Sequence, residues 1–143
     1  MSQSATHRVA SHIGCVRRCA TAVEIENFEE RWGLAVPAEL KKFWQTFGTG
    51  RGFVSSEPDA NYLALYSPLD ALAAFDLEGI GEYIPDGCAP FGDNGSGEMI
   101  VFVEGKGFGL LSHVHDGLAD FCLVSRSLDG FFKKTEAGEW FSE

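Results

Sequence analysis

Apolar side chains recur at helical spacing through the first half of the chain and at strand-like spacing beyond residue 88. Val9, Ile13, Val16 and Ala20 fall on one helical face, so a short amphipathic helix is expected within residues 1–20. Thr21 followed by Glu24 forms a capping box, opening a helix whose buried face is Ile25, Phe28 and Trp32, with Gly33 placed to end it. Pro37 stands at the first turn of the next helix. Leu40, Phe43, Trp44 and Phe47 follow at i, i+3, i+4 and i+7, and residues 48–52 are glycine-rich and read as a loop. Asn61 to Tyr66 reads as a strand. Ser67 and Pro68 then start a helix through about Phe75, and residues 76–87 form an exposed connection with a turn of helix. From Ala89 onward the pattern is an antiparallel meander. Its strands are Met99–Val103, Phe108–Val114 and Phe121–Val124, with turns at 104–107 and 115–117. Ser125 or Ser127 caps a last helix with Leu128, Phe131 and Phe132 inward. Helices, then a sheet, then a closing helix make an α+β fold: an antiparallel-dominated mixed sheet flanked by helices.

Composition adds an aromatic-rich core, with twelve Phe, three Trp and three Tyr in 143 residues. Trp32 and Trp44 lie on core faces, whereas Trp140 and Phe141 either close the core or form a small exposed patch. Charge divides the chain. Residues 1–20 carry Arg8, Arg17 and Arg18 with no acid, and read as a basic helix or arm. Residues 21–143, read as one domain, hold 8 basic against 21 acidic side chains, a net charge of −13. Such a body repels a phosphate backbone, which argues against nucleic acid and favours a basic protein partner. No run approaches the ~20 apolar residues of a membrane span, and the start lacks the apolar region of a secretory signal. A cytoplasmic protein with reduced cysteines is therefore expected, with Cys88 and Cys122 as small core hydrophobes.

Candidate chemistry is sparse. On a strand, His113 and His115 share one side, as in a two-histidine metal site. No second ligand motif follows, and His115-Asp116-Gly117 also reads as a plain turn. His12, Cys15 and Cys19 share a helical face with His7 nearby, but structural zinc sites draw ligand pairs from two elements. Asp93 to Glu98 lacks the pattern of a calcium loop and the lysine of a phosphate loop. No catalytic set, metal or cofactor is expected.

The order of segments resembles the SUKH superfamily of cell-wall-assembly regulators and bacterial immunity proteins. The opening resemblance runs through Ile25-Glu-Asn-Phe28, Trp32-Gly-Leu34 and Val36-Pro37-Ala-Glu-Leu40. Val36 stands where the family usually has Leu, and Gly48-Thr-Gly50 where an Asn-Gly-Gly turn is common. Ala89-Pro-Phe-Gly-Asp93-Asn-Gly-Ser-Gly97-Glu98 resembles the family's Gly-rich hairpin, with Glu98 in place of the usual Asp. His115-Asp116 and Ser125-Arg-Ser-Leu-Asp-Gly-Phe131 resemble its end, so the likeness covers about residues 20–133. It implies a sheet of four to six strands without catalytic machinery, and a monomer that neutralises a cognate toxin, often nuclease-type, by binding it. Asp93, Glu98, Glu104, Asp116 and Asp120 are the candidate contact residues, chosen for exposure and sign. The alternatives are a regulatory adaptor or scaffold, and a small metal-dependent enzyme using His113 and His115.

Overall fold

The structure, a computed structural model, describes residues 4–15, 20–54, 61–75 and 84–140. Its helices among these residues are α1 (Ala5–His12), α2 (Ala22–Trp32), α3 (Ala38–Thr46), α4 (Pro68–Phe75) and α5 (Leu128–Ala137). The strands are β1 (Gly50–Phe53), β2 (Tyr62–Leu65), β3 (Cys88–Asp93), β4 (Glu98–Val103), β5 (Gly107–Ser112) and β6 (Cys122–Ser125). They form one sheet in sequential order β1 to β6. Every pairing is antiparallel, so the parallel component of the expected mixed sheet is absent among the described strands. The connection carrying α4 leaves β2 and returns to the same end of the sheet, so β3 runs back beside β2 rather than along it.

Local signals account for most element boundaries. Thr21 Oγ1 accepts from Glu24 N at 3.1 Å, and Glu24 Oε1 accepts from Thr21 N at 3.1 Å, completing the capping box of α2. Pro37 sits one position earlier than expected, as the extended N-cap residue of α3. Ser127, rather than Ser125, caps α5 by accepting from Gly130 N at 3.0 Å. Trp140 closes the core at 6% exposure: its Nε1 donates to Thr135 Oγ1 at 2.7 Å and its ring stacks on Phe131. Phe141 and residues 76–83 of the expected connection lie outside the described residues.

Residues 50–53 depart from the expected loop by pairing with β2, Gly50 opposite Leu65 and Phe53 opposite Tyr62. Glycine at position 50 permits this strand to lie against the end of the α1 segment. A Cβ there would stand 2.7 Å from Cys15 Sγ and 2.8 Å from Cys15 Cα. The α1 helix is shorter than the apolar stripe suggested, ending at His12, while Val16 lies outside the described residues and Ala20 beyond the helix. Its Ala5, Val9 and Ala10, with Ile13 at its C-cap, are all buried in the common core. Two polar contacts fasten it to α5. Arg8 forks onto Glu136, with Nε–Oε2 and Nη2–Oε1 both at 3.0 Å, and Asp129 Oδ1 accepts from Thr6 N and Thr6 Oγ1 at 2.9 and 2.8 Å.

Aromatic rings fill the core. Phe28, Trp44, Phe75, Phe91, Phe108, Phe131 and Phe132 are all less than 2% exposed, and Phe28 meets Trp44 edge-on at 5.0 Å between centroids. Trp44 is satisfied as well as packed, its Nε1 donating to Tyr66 O at 2.8 Å. Met99, Ile100 and Val101 are consecutive and fully buried. Since neighbouring strand residues point to opposite faces, β4 is covered on both sides.

Candidate functional site at the turn end of the sheet

Antiparallel order brings the end of β1, the start of β2, the β3–β4 turn and the β5–β6 link to one end of the sheet. The β3–β4 turn is held by its own side chains. Asp93 Oδ1 accepts from Gly95 N at 2.9 Å, and Asn94 Oδ1 accepts from Ser96 N at 3.0 Å and Glu98 N at 3.3 Å. Asn94 is buried at 6% exposure, and its Nδ2 donates to Glu98 Oε1 at 3.0 Å, which orients that carboxylate. Gly95 has φ 73°, and a Cβ there would meet the Tyr62 ring at 2.9 Å, so this glycine answers both a left-handed turn and a close neighbour.

The β5–β6 link joins the same surface. His113 N donates to Gly97 O at 2.9 Å, tying the exit of β5 to the β3–β4 turn. Ser112 Oγ accepts from Val114 N at 3.2 Å, and the strand ends there, two residues earlier than expected. His113 and His115 therefore sit in a bent link and not along a strand. His115 Nδ1 accepts from Gly117 N at 3.0 Å, closing a local turn, and its Nε2 is buried without a partner. Asp120 Oδ2 accepts from Asp116 N at 2.6 Å, so this carboxylate braces the link.

Four of the five candidate contact acids, Asp93, Glu98, Asp116 and Asp120, thus gather at one end. Glu104 does not join them. It occupies the β4–β5 turn, six strand steps from Glu98 and roughly 20 Å away along β4. Residue type and exposure are visible in a sequence, but the end of the sheet a turn occupies depends on strand order. Asp93 and Glu98 are half-buried, whereas Asp116, Asp120 and Glu104 are exposed. Burial, followed by the Asp93 carboxylate, pushes the Tyr66 phenol above its ordinary range.

At the turn end of the sheet lies a cleft of about 380 Å³, whose described lining includes Phe53, Tyr62, Asn94, Ser96, Glu98 and Trp140. Asn61 also lines it, its Nδ2 donating to Thr135 O at 2.9 Å. Phe53 is 62% exposed and meets Tyr62 edge-on at 5.6 Å. Sequence reading missed Phe53 and Tyr62 as site residues. The alternation of Gly50, Arg51, Gly52 and Phe53 was the available signal, masked by the glycines.

A second cavity, about 280 Å³, lies between α1, α3 and α5 and includes His7, Lys42 and Phe47 in its lining. Two helix N-termini face it, and carboxylates already occupy both: Asp129 bonds Thr6 of α1, and Glu39 Oε2 accepts from Leu128 N of α5 at 2.9 Å. It reads as a helix junction.

Among the described residues, no three His, Cys, Asp or Glu side chains stand together as a metal site. Burial raises the Cys15 thiol to about 11 and the Cys88 thiol to about 12, and also pushes Cys122 up, which disfavours the thiolate forms that metals and electrophiles require. Cys19 lies outside the described residues. No helix among the described residues is long and apolar enough to cross a membrane.

A comparison with curated proteins returns no match. A family model described as the SMI1 / KNR4 family (SUKH-1) matches residues 19–134, which span α2 through most of α5 and contain the whole six-stranded sheet. With the α+β architecture and the Gly-rich β3–β4 turn in place, that match shows that the chain belongs to the SMI1 / KNR4 family (SUKH-1).

Proposed function

We propose that the protein is a non-enzymatic binding domain that serves as an immunity protein, occluding a basic surface of a nuclease-type toxin with the turn end of its sheet. The observation that carries this reading is the convergence of Asp93, Glu98, Asp116 and Asp120 on one end, brought there by two separate connections, the β3–β4 turn and the β5–β6 link. Membership in the SUKH-1 family is compatible with such a role. The net charge of −10 supports a cationic protein partner and opposes binding of nucleic acid or an anionic membrane surface. Long-range attraction then speeds capture, which matters when the partner is lethal. In this reading the protein acts as a cytoplasmic monomer and needs no cofactor. Glu104, at the far end of β4, is outside the contact.

Co-expression with the C-terminal domain encoded by the adjacent gene tests the proposal. Survival of cells that otherwise die supports immunity, and death despite soluble expression of both proteins refutes it. Stable association without any effect on a non-toxic partner would instead favour a regulatory adaptor.

A further inference from the structure

The β5–β6 link holds an apolar side chain out in water. Val114 is 90% exposed, more than any other large hydrophobic side chain among the described residues. A lone exposed valine is ordinary on a protein surface and by itself points to nothing. This one is fixed on both sides. Before it, His113 N donates to Gly97 O at 2.9 Å, and Val114 N itself donates to Ser112 Oγ at 3.2 Å. After it, Gly117 N donates to His115 Nδ1 at 3.0 Å and Asp116 N donates to Asp120 Oδ2 at 2.6 Å. The His115 ring holds this shape against its own interest. Accepting at Nδ1 puts the ring hydrogen on Nε2, which is buried without a partner among the described residues. A buried donor left unpaired opposes folding, so a link shaped for stability alone would turn that nitrogen to water. Valine has one stiff side-chain torsion, so a partner that covers it removes little rotamer freedom.

Charge decides which surface can cover it. Asp116 lies two residues on, Asp120 braces the same link, and Gly97, which accepts from His113, directly precedes Glu98. A surface that closes over Val114 meets these carboxylates, so an acidic one is repelled and a basic one is drawn in. We infer that Val114 is the apolar anchor of the partner contact, seated in an apolar depression of the protein partner whose rim is basic. The inference rests on the binding function proposed above and divides its work. The acids govern approach, and Val114 governs how long the complex lasts.

Association and dissociation rates of the full chain with the C-terminal domain encoded by the adjacent gene test it, that domain being separated from the co-expressed complex by denaturant and refolded. Val114→Ala removes two methyl groups that are exposed in the free protein, so its urea midpoint should match the parent's. Its complex should dissociate about tenfold faster, the effect of withdrawing two methyl groups from a buried contact. Its association rate should stay within about twofold of the parent's, with the same salt dependence. Val114→Thr, of nearly the same shape with a hydroxyl for one methyl, should also dissociate faster. Asp116→Asn should do the reverse, slowing association about twofold at low salt with little change in dissociation. An unchanged dissociation rate for Val114→Ala refutes the anchor while the parent's binding leaves immunity standing. Parent-like dissociation of Val114→Thr refutes an apolar seat, and so does a Val114→Ala defect confined to association. No association of the parent protein with this domain refutes the immunity reading and the anchor with it.

Discussion

Replacing Asn94 isolates what holds the candidate site in shape. The side chain is buried at 6% exposure, and its amide makes three contacts: Oδ1 accepts from Ser96 N and Glu98 N, and Nδ2 donates to Glu98 Oε1. Asn94→Ala removes all three and leaves two backbone donors to find water at the turn. At about 0.5–1.5 kcal/mol for each hydrogen bond, with the longer 3.3 Å contact at the low end, the expected loss is about 2 kcal/mol. For a chain of this size that corresponds to a fall in Tm of roughly 4–8 °C. Asn94→Asp separates the two roles of the amide, since it keeps an acceptor for the backbone donors and substitutes a carboxylate for the donor facing Glu98. Two carboxylates at this distance repel, so one proton is held above its ordinary pKa in the folded state. A raised folded-state acid pKa destabilises the fold as pH rises and does not do so once both carboxylates are protonated. The deficit of Asn94→Asp against the parent should therefore be large at pH 7 and shrink toward pH 4, whereas that of Asn94→Ala should persist at both. Urea unfolding monitored by tryptophan fluorescence at the two pH values measures this. A loss below about 0.5 kcal/mol for Asn94→Ala, or a pH-independent deficit for Asn94→Asp, would refute the clamp.

The contact between α1 and α5 makes a separate prediction about acid. Hydrogen bonds from Thr6, first its backbone N–H, hold the Asp129 carboxylate below its ordinary pKa, so its contribution is present above the unfolded value near 4 and is lost as pH falls through the folded one. Asp129→Asn should lower Tm at pH 7 by one or two degrees, on the order of an exposed helix N-terminal charge interaction, and the deficit should shrink progressively as pH falls below about 4. Equal Tm values at pH 7 would show that this carboxylate does not help fasten α1. Gly50→Ala places a Cβ within 3 Å of Cys15 and should destabilise the fold by about 1–3 kcal/mol while lifting the Cys15 segment off β1. Peptide-resolved thiol labelling at pH 8 should then show faster modification of Cys15, with Cys88 still slow at 1% exposure and a pKa of about 12. Unchanged Cys15 labelling would mean that β1 does not seat that segment.

The family and most element positions were legible because they rest on short-range chemistry. The Thr21–Glu24 capping box, the Leu40–Phe43–Trp44 stripe and the Met99–Val103 strand are each specified within a few consecutive residues, and each occurs as expected. The strand at Gly50–Phe53 was not legible, because glycine carries no hydrophobic pattern and its use there depends on Cys15 approaching from a distant segment. Nor could the pattern choose between the two possible fates of Trp140, which its bond to Thr135 and stacking on Phe131 decide.

For the candidate site the division is sharper. Acid type, turn chemistry and net charge are properties of single residues and short runs, so Asp93, Glu98, Glu104, Asp116 and Asp120 could all be named from the chain alone. Which of them stand together is a property of strand order, since an antiparallel meander sends alternate turns to opposite ends. That alternation gathers four acids, sends Glu104 away, and brings Tyr62 of β2 against Gly95 of the β3–β4 turn.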